Sequence, residues 1–294
     1  MTPMDSVGLT SLMRLTSGSP AITIGLIDGP IVGEHPDLAF DRIRTVPGKL
    51  IGTCARASSA ACKHGTFVAG ILCGKRNSVA PAICPGCTLL LRPIFTESTE
   101  RNGAIPTATP EELATAIIEC IDAGAGVLNM SIALAQPSSK GERELEEALD
   151  LALRRGVLAV AAAGNQGAIG STAITRHPWV IPVVACNLRG RPISQSNLGN
   201  SIGRRGLSAP GENITSLGSD GKAPTFGGTS VAAPFVTGAI GLLWSEFPAA
   251  SAADVKIALM HGSAPRRSSV VPSLLNAQAS YDLLASAKSR RRTA

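Results

Sequence analysis

Aromatic side chains are scarce: Phe, Trp and Tyr make up 3% of the 294 residues, too few for the stacking platforms on which single-stranded nucleic acid binds. Charge is thin as well, at 16% Asp, Glu, Lys and Arg against 44% hydrophobic residues, which excludes disorder driven by polar composition. No apolar run reaches the ~20 residues that cross a bilayer. The longest, Val231 to Trp244, is broken by Pro234, Thr237, Gly238 and Gly241. The first twenty residues carry Asp5 ahead of Arg14 and no apolar stretch of export-signal length. The expectation is a cytoplasmic protein with neither nucleic-acid nor membrane partners. The formal net charge of +6 comes from scattered basic residues and the run Arg290-Arg291-Arg292, read as a solvated tail.

What is abundant is Ala, Val, Ile and Leu, punctuated by 31 glycines and 20 prolines. Apolar runs at Ala21–Ile27, Thr88–Phe95, Gly126–Ile132, Gly156–Ala163 and Trp179–Ala185 read as strands buried on both faces. Helical spacing between and after them marks His64–Cys73, Pro110–Ala123, Glu142–Arg155, Thr229–Glu246 and Ala252–His261, with a weaker signal at Asn276–Ser286. Thr109, Pro110 and Glu111 supply a cap, a first-turn proline and an acidic first turn to the second of these. Strands alternating with helices predict an α/β chain with a mostly parallel sheet.

Four glycine-flanked segments bear chemistry. Gly25-Leu26-Ile27-Asp28-Gly29-Pro30 ends a strand on a carboxylate, which faces the ligand crevice of such a sheet or else caps a turn. Lys63-His64-Gly65-Thr66 places one of only four histidines at a helix start, where it is either a base or a structural residue. Gly227-Gly228-Thr229-Ser230 leads into the longest apolar helix, so Ser230 is either a nucleophile beside free backbone N–H groups or an ordinary cap. Ala163-Gly164-Asn165 ends another strand on an amide, an oxyanion donor or a turn residue. Taken together, these segments supply acid, base, nucleophile and oxyanion donor, in the chain order Asp, His, Ser of one known hydrolytic triad.

Ile27-Asp28-Gly29, His35-Pro36-Asp37-Leu38, His64-Gly65-Thr66-Phe67-Val68-Ala69-Gly70, Asn129-Met130-Ser131, Ala163-Gly164-Asn165 and Gly227 to Pro234 resemble the subtilisin-like serine proteases of peptidase family S8. Asp28-Gly29-Pro30, Leu91 to Phe95 and Ala161 to Asn165 look most like the leader-peptide proteases of cyanobactin maturation. The resemblance implies a three-layer sandwich with a catalytic domain at 21–263, an N-terminal extension at 1–20 and a C-terminal extension at 264–294. It implies Asp28, His64 and Ser230 as triad and Asn165 as oxyanion donor, with His35 structural. An extended peptide would lie along an edge strand from Asn129 to Ala133, touching Asn129, Met130, Ser131, Ile132 and Ala133, with Ala163, Gly164 and Thr229 opposite. Asp28 lies so near Met1 that no large folding propeptide is expected.

Departures from the family pattern matter. Gly74-Lys75-Arg76-Asn77-Ser78 offers two cations where secreted relatives hold calcium, so no metal and no cofactor is expected. Ala133-Leu134 replaces a Gly-Gly pair and narrows the pocket for the residue before the scissile bond; Phe67 replaces a second histidine and should affect packing. The seven cysteines leave three readings open: a redox or metal half-site at Cys84-Pro85-Gly86-Cys87, a structural disulfide from Cys54 or Cys62 to a neighbour, or free buried thiols. The expected activity is endoproteolytic processing of a peptide precursor; the alternatives are a broad degradative protease and a peptide-binding pseudoprotease.

Overall fold

A computed structural model describes residues 1–48, 50–97, 108–132, 142–263 and 268–293. Two short helices, α1 (Pro3–Ser6) and α2 (Leu9–Leu15), precede β1 (Thr23–Asp28) and β2 (Ile43–Thr45). Helix α3 (Ala60–Cys73) and strand β3 (Thr88–Pro93) lead to α4 (Pro110–Asp122), β4 (Val127–Met130), α5 (Glu142–Arg155) and β5 (Leu158–Ala162). The one-turn helix α6 (Ala173–Arg176), β6 (Val180–Cys186), α7 (Asn200–Arg205) and β7 (Leu207–Pro210) follow, then the small hairpin of β8 (Ile214–Thr215) and β9 (Thr225–Phe226). The chain closes with α8 (Thr229–Glu246), α9 (Ala252–Gly262), β10 (Ser273–Leu274) and α10 (Ala277–Thr293).

The sheet has eight strands in the order β10-β7-β6-β5-β4-β1-β3-β2, and each of its ladders is parallel. The chain builds outward from β1 on one side and then restarts at β4 on the other. The crevice beyond the carboxyl ends of β1 and β4 is therefore the topological switch point at which such sheets bind ligands. Alternate side chains go to opposite faces: Leu26, Leu91, Val160 and Val183 pack with α3 and α8, while Leu90, Leu128 and Ala161 pack with α4 and α5. Helix α8 is buried almost all round, as a helix that is apolar on every face must be. This is the α/β sandwich that the alternating pattern predicts.

One expectation shifts. Helix α3 begins at Ala60, four residues before His64, because the Ser59 hydroxyl accepts from the Cys62 N–H and caps it there. His64 thus sits in the second turn and not at the helix start. The terminal segments pack on the same core: Val7, Leu9, Leu12, Leu275 and Ala277 join the cluster that holds α8, and β10 extends the sheet beside β7. Among the described residues no helix is long and apolar enough to cross a membrane.

Candidate active site

Asp28 ends β1 with no exposed surface. Its Oδ1 accepts the Gly29 N–H at 2.6 Å and lies 2.7 Å from His64 Nδ1. Helix α3 reaches this close to the strand end because residue 65 has no side chain: a Cβ there would stand 2.4 Å from the carbonyl oxygens of both Gly29 and Pro30. A carboxylate only accepts, so the proton of the neutral imidazole belongs on Nδ1 and leaves Nε2 as an acceptor. Nε2 faces Ser230 Oγ at 3.0 Å. Burial pushes the His64 pKa down, but the charge of Asp28 and its hydrogen bond outweigh that, and the net shift is upward from 6.5.

Ser230 is the second residue of α8, ahead of the first donor that the helix can use internally, so its N–H is free to face a ligand. The N-cap is Gly228, with φ of 125° and no side-chain cap bond, so neither Thr229 nor Ser230 caps this helix. A left-handed cap of this kind favours glycine, and a Cβ there would also meet the Asn165 carboxamide at 3.1 Å. Asn165 Oδ1 accepts from the Thr229 N–H at 2.8 Å and from Thr229 Oγ1 at 3.0 Å. Since a backbone N–H can only donate, the amide oxygen must face Thr229, and Nδ2 is left to donate outward. Asn197 pins the adjoining loop by accepting from the N–H groups of Gln166 and Ala168 at 3.1 and 3.0 Å.

The loop before α3 is held from outside that helix. Glu97 accepts from the N–H groups of Ala55 and Arg56 at 2.7 and 2.9 Å and from Ser59 Oγ at 2.9 Å. Cys54 is joined to Cys62, which realises one of the readings left open for the cysteines. Cys73, Cys84, Cys87, Cys120 and Cys186 are buried and form no disulfide among the described residues. Neighbouring thiols and burial push Cys84 and Cys87 well above the ordinary thiol range. Cys54, Cys62 and Glu97 are the one metal-compatible group found among the described residues, and its two sulfurs are bonded to each other. In the Gly74 to Ser78 turn, Lys75 donates to the Pro36 carbonyl and Arg76 to those of Met13, Thr16 and Ile83.

The subtilase family profile matches residues 19–281. The chain belongs to the subtilase family. It is 32% identical over 186 residues to a thermostable alkaline protease of Halalkalibacterium halodurans, a match covering 63% of this chain and 48% of that protein. It thus spans about half the length of that curated relative. Among solved structures, a serine-to-alanine form of the protease domain of PatA superposes with a TM-score of 0.84 at 30% identity, covering 92% of this chain and 97% of that one. The prenylagaramide maturation protease PagA gives 0.82 at 28% identity, covering 94% and 98%. These neighbours fit the resemblance to cyanobactin maturation proteases read from Asp28-Gly29-Pro30, Leu91 to Phe95 and Ala161 to Asn165.

In this subtilase, strand β4 is not an edge. Its backbone from Val127 to Met130 lies between β1 and β5, and Asn129 and Met130 have no exposed surface. They cannot touch a peptide, which corrects the expectation drawn for them; the ladder ends at Met130, and Ser131 and Ile132 follow it, each 5% exposed. Ala133 and Leu134 lie outside the described residues. Ala163, Gly164 and Thr229 are brought to the site with their N–H groups already bonded: Ala163 N–H to the Val183 carbonyl of β6, Gly164 N–H to Thr229 Oγ1, and Thr229 N–H to Asn165 Oδ1. Phe67 packs on Phe226 as a tilted ring pair with centroids 4.6 Å apart, just ahead of the Gly227-Gly228 turn, so its role is packing, as expected.

Proposed function

We propose that the chain is a serine endopeptidase working through Asp28, His64 and Ser230, and that its substrate is an unfolded peptide precursor. The observation that carries this reading is the two-sided hydrogen bonding of His64, to Asp28 at 2.7 Å and to Ser230 at 3.0 Å. Ser230 Oγ attacks the peptide carbonyl while its proton passes to His64 Nε2. Asp28 holds the Nδ1–H tautomer and stabilises the imidazolium that forms. The carbonyl oxygen becomes an oxyanion that the Asn165 amide and the Ser230 N–H receive. His64 then protonates the leaving amine, and water repeats the sequence to release the acid and restore the serine. The substrate lies extended against main chain beyond Met130, which requires an unstructured segment.

Precursor processing is supported by the likeness to proteases whose names record maturation. The expected narrow pocket at 133–134 favours selective cleavage over scavenging. Mass analysis of digests tests both parts. Wild-type protein should cut a cyanobactin-type precursor peptide at one or few positions and leave a panel of unrelated unfolded proteins largely intact, while Ser230→Ala cuts neither. Broad digestion of the panel would assign the chain to the degradative class instead.

A further inference from the structure

Helix α8 contains a proline at position 234, one turn after the proposed nucleophile. Proline has no N–H, so the Ser230 carbonyl loses its usual helical donor, which is the amide four residues on. Ser131 Oγ supplies a donor at 3.0 Å. Asn129 Nδ2 donates to that same hydroxyl at 2.8 Å, and Thr237 Oγ1 donates to Asn129 Oδ1 at 2.8 Å. Asn129 and Thr237 have no exposed surface and Ser131 has 5%.

The direction of this chain is forced. The Ser230 carbonyl can only accept, so the Ser131 hydroxyl must spend its single hydrogen there. Its lone pair must then accept from Asn129, which turns the amide oxygen of Asn129 toward Thr237. Two α8 residues are thereby tied to one another through Asn129 of β4 and Ser131 just beyond it, both of them buried.

Resting on the triad reading above, we propose that Ser131 is a positioning residue. It holds the first turn of α8 by the carbonyl that Pro234 leaves without a helical donor, with Asn129 and Thr237 aligning its hydroxyl. The nucleophile needs such a hold because its Oγ must stay in line with His64 while its own N–H faces the oxyanion, and both depend on the tilt of that first turn. Ser131 also begins the main chain against which a peptide is expected to lie. The group that steadies the nucleophile is thus the first residue of the substrate's own strand.

The test is the phosphonylation rate of Ser230 by a small fluorophosphonate, which engages no peptide subsites, followed by intact mass in a double-substitution series. Ser131→Ala should slow labelling about tenfold with little change in melting temperature, and Ser131→Thr, which keeps the hydroxyl, should restore it. Pro234→Ala gives back the helical N–H, so in that background Ser131→Ala should cost less than about twofold. Equal losses in both backgrounds, or no loss in the first, would overturn the proposal while leaving the triad in place. If the wild-type chain does not label at Ser230, the triad reading falls and this one falls with it. Should Pro234→Ala fail to fold, Thr237→Val decides: its packing is retained and its donor removed, so slower labelling supports the relay and an unchanged rate refutes it.

Discussion

At the scale of single residues the site depends on fixed hydrogen-bond direction. Asp28 and the Thr229 N–H each have one possible role, and they assign the tautomer of His64 and the orientation of Asn165. Asp28→Asn places a donor opposite Nδ1 and favours the wrong tautomer, and kcat should fall by about 10⁴-fold. The pH dependence has a definite sign. In the proposed mechanism His64 must be neutral to accept the serine proton, and Asp28 raises its pKa, so kcat/KM should rise with pH through a midpoint above 6.5. Residual activity of Asp28→Asn should show that limb displaced to lower pH. An acid limb that stays in place would mean that another group titrates. Asn165→Leu removes one oxyanion donor and should cost ~2.7–4 kcal/mol in kcat with KM little changed; a loss confined to KM would move Asn165 from transition-state to ground-state binding.

At the scale of elements, two contacts bear on whether the proposed catalytic groups meet. Helix α3 crosses the end of β1 only because of Gly65, whose missing Cβ leaves room for the Gly29 and Pro30 carbonyls. Gly65→Ala should separate His64 from Asp28 and abolish labelling of Ser230 even where circular dichroism reports a folded chain. The Cys54–Cys62 disulfide closes a short loop onto the first turn of the same helix. In the chain-entropy account this is worth about 2–3 kcal/mol, so reductant or Cys54→Ser should lower the melting temperature measurably. An unchanged melting temperature would show that Glu97 alone holds the loop. The α3 motif is legible in the sequence because Gly65 and Thr66 follow His64 directly. The true start of the helix is not, since it depends on Ser59, and Ser59 is held by Glu97 from 38 residues away.

At the scale of the whole molecule, the sequence shows plainly what is local and hides what is assembled. The strands β1, β3, β4, β5 and β6 are apolar runs between turn residues; Asp28, His64 and Asn165 each adjoin a glycine, and Ser230 follows the Gly227-Gly228 pair at one residue's remove. Strand β7 reads Leu-Ser-Ala-Pro and β10 has two residues, so neither carries a period long enough to recognise. Asn129 is visible as a motif residue, but its partner Thr237 lies 108 residues on and looks like any small residue of an apolar helix. A strand placed in the interior by sheet order cannot be told from an edge strand by its own residues, and for that reason Asn129 and Met130 read as peptide contacts. The central claim, that the topology delivers an activated serine, is tested most directly by intact-mass analysis after fluorophosphonate treatment. Wild-type protein should gain one adduct and Ser230→Ala none. An unlabelled wild-type chain, or an adduct that persists in Ser230→Ala, would contradict it.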